Sequence, residues 1–138
     1  MKRDPRLHGL SSEHHHALVL ARTLLAPGQA WGSVEGAALA ERFAAELEPH
    51  FQLEEEILLP ALRAAGATSL AIRTDEDHGF LRAKMSLAAG GDYEAAAAFG
   101  QRLQEHVRFE ERELFPACEA LLTREVLDEV ARRCPKGS

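Results

Sequence analysis

The chain has 138 residues, a formal net charge of −6 and only two cysteines. This length suits one domain with a hydrophobic core of its own, and we predict a single domain over residues 1–138. The negative charge disfavours nucleic acid and membrane surfaces as partners, because both select basic proteins. No apolar run approaches the roughly 20 residues of a membrane span, and the first residues lack the apolar segment of a signal peptide, so we expect a cytoplasmic protein.

Apolar residues recur at helical spacing along the chain, and no segment alternates with the period of two that a strand requires. Ser11 and Ser12 are the predicted caps of the first helix, Pro27 marks its end, and Pro135 ends the last helix. The predicted helices lie at about residues 12–26, 33–65, 68–90, 92–122 and 124–133.

Prolines lie inside two of these helices. The second helix is expected to kink at Pro49 and to kink or end at Pro60, and Pro116 lies inside the fourth. Because the four long helices have short connections, we predict an all-α, up-down-up-down four-helix bundle over about residues 8–122, with a short C-terminal extra helix.

Residues 50–62 on the second helix and residues 106–118 on the fourth match without a gap. The histidine, two consecutive glutamates, a leucine, a proline and an alanine coincide at the same offsets. In each copy the histidine and the first glutamate are four residues apart and therefore share a helix face. Alternate helices of an up-down bundle run parallel, so the two copies can face each other across the core.

Apolar neighbours identify this shared face as the inward one. Leu47 and Leu58 lie on the face of the first histidine–glutamate pair, and leucines occupy the same positions around the second. Burying two facing glutamates without compensation is very costly, because desolvation and like-charge repulsion add. A bound cation removes this cost, so the pattern predicts a two-metal site. Its predicted ligands on these helices are His50, Glu54, His106 and Glu110.

The first and third helices each carry an acid followed by a histidine, Glu13-His14 and Asp77-His78. Both histidines are followed by apolar residues on their own helix face, which adds His14 and His78 to the predicted metal ligands. His15 is the alternative on the first helix. Its face would bring Arg22 into the core, so His14 is preferred.

The other histidines and glutamates, the two cysteines and the tryptophan are not predicted to bind metal. The side chains expected to be solvated are His8, His16, Glu55, Glu56, Glu111 and Glu113. Cys118 matches a leucine of the repeat and is expected in the core. Cys134 is expected near a frayed C-terminus, and Trp31 is expected to pack in the first loop.

In these motifs the chain resembles the hemerythrin-like, or HHE cation-binding, family over roughly residues 8–120. The matching motifs are Glu13-His14, His50-x-x-x-Glu54, Asp77-His78 and His106-x-x-x-Glu110, with Leu58-Leu59-Pro60 and Leu114-Phe115-Pro116 behind the second and fourth. The resemblance implies two irons per chain, bridged by Glu54 and Glu110, with the four histidines as terminal ligands. It also implies a small diatomic or peroxide ligand: the protein would bind, sense or react with oxygen, peroxide or nitric oxide, or handle iron.

One histidine of the oxygen-carrying hemerythrins is absent. Those proteins place two histidines four residues apart on the third helix, whereas Thr74 and Arg82 occupy the positions at that spacing from His78. Two roughly six-coordinate irons offer about twelve positions. Bridging groups and four histidines fill about ten, so about two remain for water, a small ligand, or a side chain such as Glu55 or Tyr93. This count favours a reactive or sensing site over reversible oxygen transport.

Two other metal-site classes can be compared with the same spacing. The ferritin-like di-iron class requires Glu-x-x-His on two helices, but leucines stand three residues before both His50 and His106, which argues against that class. A structural or interaction domain that holds zinc or a single metal ion needs about four ligands and remains the alternative, with zinc as the alternative cofactor. The sequence leaves turnover and the oligomeric state open.

Overall fold

The computed structural model describes residues 3–26 and 30–134. Helices account for nearly all of these residues and no strand occurs among them, which confirms the all-α prediction. A 3₁₀ turn, Pro5–Leu7, precedes five helices. They are α1 (His8–Leu25), α2 (residues 33–64), α3 (Thr68–Ala89), α4 (residues 93–121) and α5 (Arg124–Arg133). The bounds of α2 to α5 agree with the predicted bounds to within one residue.

Helices α2 and α4 run past their prolines because a π-helical turn precedes each one. The segments of α2 are Ser33–Arg42, the π turn Phe43–Leu47, Glu48–Leu53, the π turn Glu54–Leu58 and Leu59–Ala64. Those of α4 are Tyr93–Phe109, the π turn Glu110–Leu114 and Phe115–Leu121. Each proline lies in the first turn of the next α-helical segment. The lack of a backbone N–H costs no intrahelical hydrogen bond at this position. α2 therefore does not end at Pro60.

The first helix begins earlier than predicted. Asp4 caps the 3₁₀ turn by accepting a hydrogen bond from the backbone N–H of Arg6, and the chain enters α1 directly from that turn. Ser11 is therefore inside the helix, and its hydroxyl donates to the carboxylate of Glu111 at 2.8 Å. Ser12, also predicted as a cap, is inside the helix too. The predicted ends at Pro27 and Pro135 lie outside the described residues.

Neighbouring long helices run antiparallel. This is seen in their contacts, since the residue numbers increase along one helix while those of the contacting residues decrease along the other. The contacts are His14–Glu110 and Leu24–Gly100 between α1 and α4, Gly36–Ala88 and Glu55–His78 between α2 and α3, and Arg73–Phe109 and Arg102–Phe80 between α3 and α4. Trp31 packs on this framework as expected, and its indole N–H donates to the carbonyl of Ala88.

The hydrophobic core has two parts with a polar layer between them. Along α2, Phe51 belongs to the first apolar cluster and Leu58 to the second; along α4, Leu103 and Leu114 divide in the same way. The buried polar residues between them are His14, His50, Glu54, Thr74, Asp77, His78, His106 and Glu110. Within the described part of the chain, no helix is long and apolar enough to cross a membrane.

Helix α5 covers the second cluster and buries Leu127, Val130 and Cys134. Cys134, the last described residue, is only 7% exposed, so it packs against this cluster itself. The prediction that Cys118 lies in the core is confirmed. Burial raises the pKa of the Cys134 thiol to about 11 and that of Cys118 further, so both thiols are protonated at neutral pH.

Candidate metal centre

The six predicted metal ligands all lie in the buried polar layer. Their ligand atoms form two groups, and within each group the atoms lie within 4.8 Å of one another. The first group is His14, His50, Glu54 and Glu110, and the second is Glu54, His78, His106 and Glu110. Both glutamates belong to both groups. Two cations side by side could therefore share Glu54 and Glu110, with two histidines completing each group.

Histidine 14, not its neighbour, is the first-helix residue that enters the layer. His14 is 5% exposed, whereas His15 and His16 are exposed. His8, predicted to be solvated, is half-buried at the start of the helix.

Each shared glutamate is the first residue of a π turn. The histidine one turn earlier contacts this glutamate. The Nε2 atom of His50 lies 3.1 Å from an oxygen of Glu54, and that of His106 lies 3.2 Å from an oxygen of Glu110. In both copies of the repeat, the π turn therefore begins at the shared glutamate and ends two residues before the proline. Single π turns of this kind are frequent at functional sites.

Two contacts between helices close the ligand set. The Nε2 atom of His14 lies 2.8 Å from Glu110, and the Nε2 atom of His78 lies 3.0 Å from Glu54. His50 also approaches Glu110, at 3.5 Å. All four imidazole rings therefore direct the same nitrogen, Nε2, at the two shared carboxylates.

A second carboxylate stands behind each histidine and accepts a hydrogen bond from its Nδ1–H. The pairs are His14–Glu111 at 2.7 Å, His50–Glu13 at 2.8 Å, His78–Glu55 at 2.6 Å and His106–Asp77 at 2.9 Å. We infer the tautomer from these partners: Nδ1 carries the proton, so Nε2 can bind a metal. In every pair the acid and the histidine come from different helices.

Two of these outer acids were predicted to be ordinary surface residues, and that interpretation is wrong. Glu55 and Glu111 are partly buried and each is bonded to a predicted ligand, whereas Glu56 and Glu113 are exposed as expected. A feature of the sequence could have indicated their role, because Glu55 and Glu111 occupy the same position in the two copies of the repeat.

Three of the outer acids are held in turn by arginines. Arg82 bonds Glu55 at 2.7 Å, Arg102 bonds Asp77 at 2.8 Å, and Arg3 lies 3.3 Å from Glu111. These ion pairs fix the carboxylates that orient the rings. Arg82 also binds Glu48, so it ties α3 to two turns of α2.

No side chain takes the place of the absent third-helix histidine within the described residues. Arg82 points to its glutamate partners, and the hydroxyl of Thr74 donates to the carbonyl of Leu70. Glu55 contacts the Nδ1 side of His78, away from the shared glutamates. Tyr93 is 45% exposed at the start of α4, more than three turns before His106, so it is not near the ligands.

Strong opposite charges stand in for a cation in the metal-free site. Burial alone lowers the pKa of His106, but Glu110 and Asp77 beside it raise that pKa to about 10. The pKa of His50 is likewise lowered by burial and raised well above its ordinary value by the facing glutamates. Burial raises the pKa of Glu110, but His106 and the hydrogen bonds around it lower that pKa well below its usual range. The raised pKa values of His50 and His106 thus favour positive charge beside the two shared glutamates when no cation is bound.

Two atoms at the centre lie 3.2 Å apart in a geometry that makes no hydrogen bond, and neither has another hydrogen-bond partner in the described structure. They are Nε2 of His106 and Oε2 of Glu110, both fully buried. Poor alignment weakens this contact, and a cation bound by both atoms would satisfy them better. Imidazole nitrogen with carboxylate oxygen is a donor set that suits iron and zinc.

A cavity of about 10 Å³ lies against the ligands. Its polar wall includes His14, His50 and His106, and its apolar wall includes Phe51 and Val107. This volume is close to the smallest that holds one water molecule.

Replacing an outer acid should weaken cation binding without removing a ligand. In Glu55→Ala, His78 loses its Nδ1–H acceptor, and we expect the affinity for Co²⁺ to fall about 10- to 100-fold. Calorimetric titration of the metal-free protein measures this, with Glu56→Ala, the exposed next residue, as the control. Equal affinities in Glu55→Ala and the unaltered protein would show that Glu55 does not orient the ligand.

Comparison with known proteins agrees with this geometry. Residues 6–118 match the model of a family described as the hemerythrin HHE cation binding domain. No curated protein and no solved structure matched the chain. The matched residues span most of the chain and include both groups of candidate ligands, and the protein therefore belongs to the hemerythrin HHE cation-binding domain family.

Proposed function

We propose that this protein is a non-haem di-iron protein whose two irons lie side by side in the polar layer. His14 and His50 would hold one iron and His78 and His106 the other, and Glu54 and Glu110 would supply carboxylate oxygens to both. The observation that carries the proposal is the membership of both glutamates in both ligand groups. A single zinc needs only about four ligands and would leave two buried histidines without a role.

The finer fold belongs to the same proposal. We infer that α1 to α4 form an up-down-up-down four-helix bundle and that α5 is an extra helix covering one end. The antiparallel contacts between neighbouring helices and the burial of Leu127 and Val130 support this arrangement. Two free, buried cysteines are typical of a reducing compartment, which supports a cytoplasmic location.

The ligand of the proposed di-iron site is small: oxygen, peroxide or nitric oxide. Bound iron supplies a redox-active centre with positions open to such a ligand, because no described side chain replaces the absent histidine. The chain's own residues set the size limit, since the cavity beside His14, His50 and His106 has a volume of only about 10 Å³. This arrangement favours binding, sensing or reaction over reversible transport.

Elemental analysis tests the proposal directly. We expect about two irons per chain in protein expressed with adequate iron and purified without chelators, together with the optical absorption of an oxo-bridged ferric pair. One zinc per chain, or no metal after purification, would overturn the di-iron proposal and favour a structural or interaction domain.

A further inference from the structure

A surface pocket between α1 and α2 leads toward the proposed metal centre. Its volume is about 270 Å³, and its wall includes Ala17 from α1 and Arg42, Glu46 and Leu47 from α2. Glu13 lies on its rim, with 37% of its side chain exposed. The pocket is therefore open to solvent on one side and bounded by the helix pair on the other.

The same three residues line both this pocket and the inner cavity against the ligands. They are Glu13, Ala17 and Leu47. Ala17 is 4% exposed and Leu47 is 7% exposed, so their side chains close the inner cavity from the pocket. A single layer of side chains thus separates solvent from the space beside His14 and His50.

We propose that the small ligand reaches the metal centre through this layer, between Ala17 and Leu47, and that the passage admits uncharged molecules in preference to anions. This inference rests on the proposed function. Ala17 has no side chain beyond a methyl group, so the leucine side chain is the movable part of the layer. Side-chain rotation of this kind is fast compared with movement of a helix.

The charges at the entrance support the preference for uncharged ligands. Arg42, the cation on the pocket wall, is paired with Glu46 at 3.1 Å. The carboxylate of Glu13 accepts a hydrogen bond from His50 on its inner side and stays 37% exposed at the rim, so these three lining residues leave a net negative charge there. Beyond this rim the layer between Ala17 and Leu47 is apolar, and so is the wall of the inner cavity away from the histidines, formed by Phe51, Leu103 and Val107. An anion meets like charge at the rim and loses its hydration inside, whereas a neutral diatomic molecule meets neither barrier.

Kinetics of nitric oxide binding to the anaerobic, reduced, iron-loaded protein test the passage. A gate changes the barrier for entry and exit alike, so it changes both rates and leaves the dissociation constant unchanged. We expect Leu47→Ala to raise both the association and the dissociation rate constants about tenfold, and Ala17→Leu to lower both. Leu39→Ala is the matched control: it removes an equally buried leucine from α2 that lines neither the pocket nor the inner cavity.

A second measurement tests the charge preference. Glu46→Gln removes the partner of Arg42 and adds positive charge to the rim without touching a proposed ligand. Azide association with the oxidised protein should become several-fold faster at low salt, with the gain lost at high salt. The rate of nitric oxide binding should not change.

The outcomes separate this inference from the function on which it rests. Iron-loaded protein that binds no nitric oxide would overturn the proposed ligand chemistry and the passage together. Normal nitric oxide binding with rates unchanged in both Leu47→Ala and Ala17→Leu would overturn the passage alone. Equal effects of Glu46→Gln on azide and nitric oxide would overturn the charge preference. The iron content of every variant is measured first, so that a lost metal is not mistaken for a closed passage.

Discussion

Replacing either shared glutamate by alanine is expected to remove both irons and not one. Each histidine pair depends on the same two carboxylates, so Glu54→Ala or Glu110→Ala takes an oxygen ligand from both groups at once. The remaining shared carboxylate cannot supply an oxygen ligand and balancing charge to two divalent cations alone. Iron should fall from about two per chain to near zero, as measured by elemental analysis after purification without chelators.

Two further variants make this result interpretable. Glu113→Ala removes an exposed carboxylate from the same π turn as Glu110 and should keep its full iron content. Glu54→Gln keeps the shape of the side chain, so a loss of iron in a variant that retains its helical circular dichroism is due to the lost charge and not to unfolding. One iron retained in Glu54→Ala would contradict a shared carboxylate and indicate two independent sites.

The sequence predicts the helices of this protein well because their boundaries depend on local residues. Glycines and capping residues between α2, α3, α4 and α5 end one helix and begin the next regardless of packing. The start of α1 could not be found in this way. Ser11 is a suitable cap, but its hydroxyl donates a hydrogen bond to Glu111, which is remote in the chain. Asp4 instead caps the 3₁₀ turn that leads directly into α1.

The π turns could not be predicted from the sequence, because apolar spacing indicates a helix without distinguishing its hydrogen-bond pattern. Prolines inside a long apolar pattern predict a disturbance, and Pro49, Pro60 and Pro116 do mark one. The form it takes depends on packing: the helix keeps its direction into the core, and a wider turn absorbs the missing hydrogen bond.

The six candidate ligands were predictable for a physical reason, since a histidine and a glutamate on an otherwise apolar helix face have to be compensated. The outer acids were harder to identify. Glu55 and Glu111 lie one residue beyond the inward face, where an exposed and a half-buried glutamate look alike in sequence. Only the docking of α3 against α2 and of α1 against α4 brings His78 and His14 to them.

Bound metal is expected to stabilise the protein more strongly as the pH rises from about 6.5 to about 10. In the metal-free protein the pKa of His106 is raised from 6.5 to about 10, and the pKa values of His14 and His50 are also raised. A raised histidine pKa contributes stability that is complete below the unfolded value and is lost as the pH rises through the folded value. The metal-free protein should therefore lose stability across this window.

The carboxylates do not offset that loss. The pKa values of Glu110, Asp77 and Glu13 are lowered by their histidine partners against the opposing effect of burial. Their contribution is present above the ordinary carboxyl pKa and disappears only in acid. The affinity for a cation increases with pH, whereas the stability contributed by the protonated histidines decreases. A metal must displace the histidine protons, so it binds more tightly at a pH where they are easier to remove.

Thermal unfolding of the metal-free and Co²⁺-loaded protein at several pH values measures the difference between these trends. Each tenfold gain in affinity adds about 1.4 kcal/mol, which corresponds to a rise in Tm of roughly 3–5 °C for a domain of this size. His16→Ala removes an exposed histidine outside the polar layer and should leave both curves unchanged. Curves for the two forms that stay parallel from pH 6.5 to 10 would mean that the histidine protons are not the ones that the metal replaces, and would place the cation away from His14, His50 and His106.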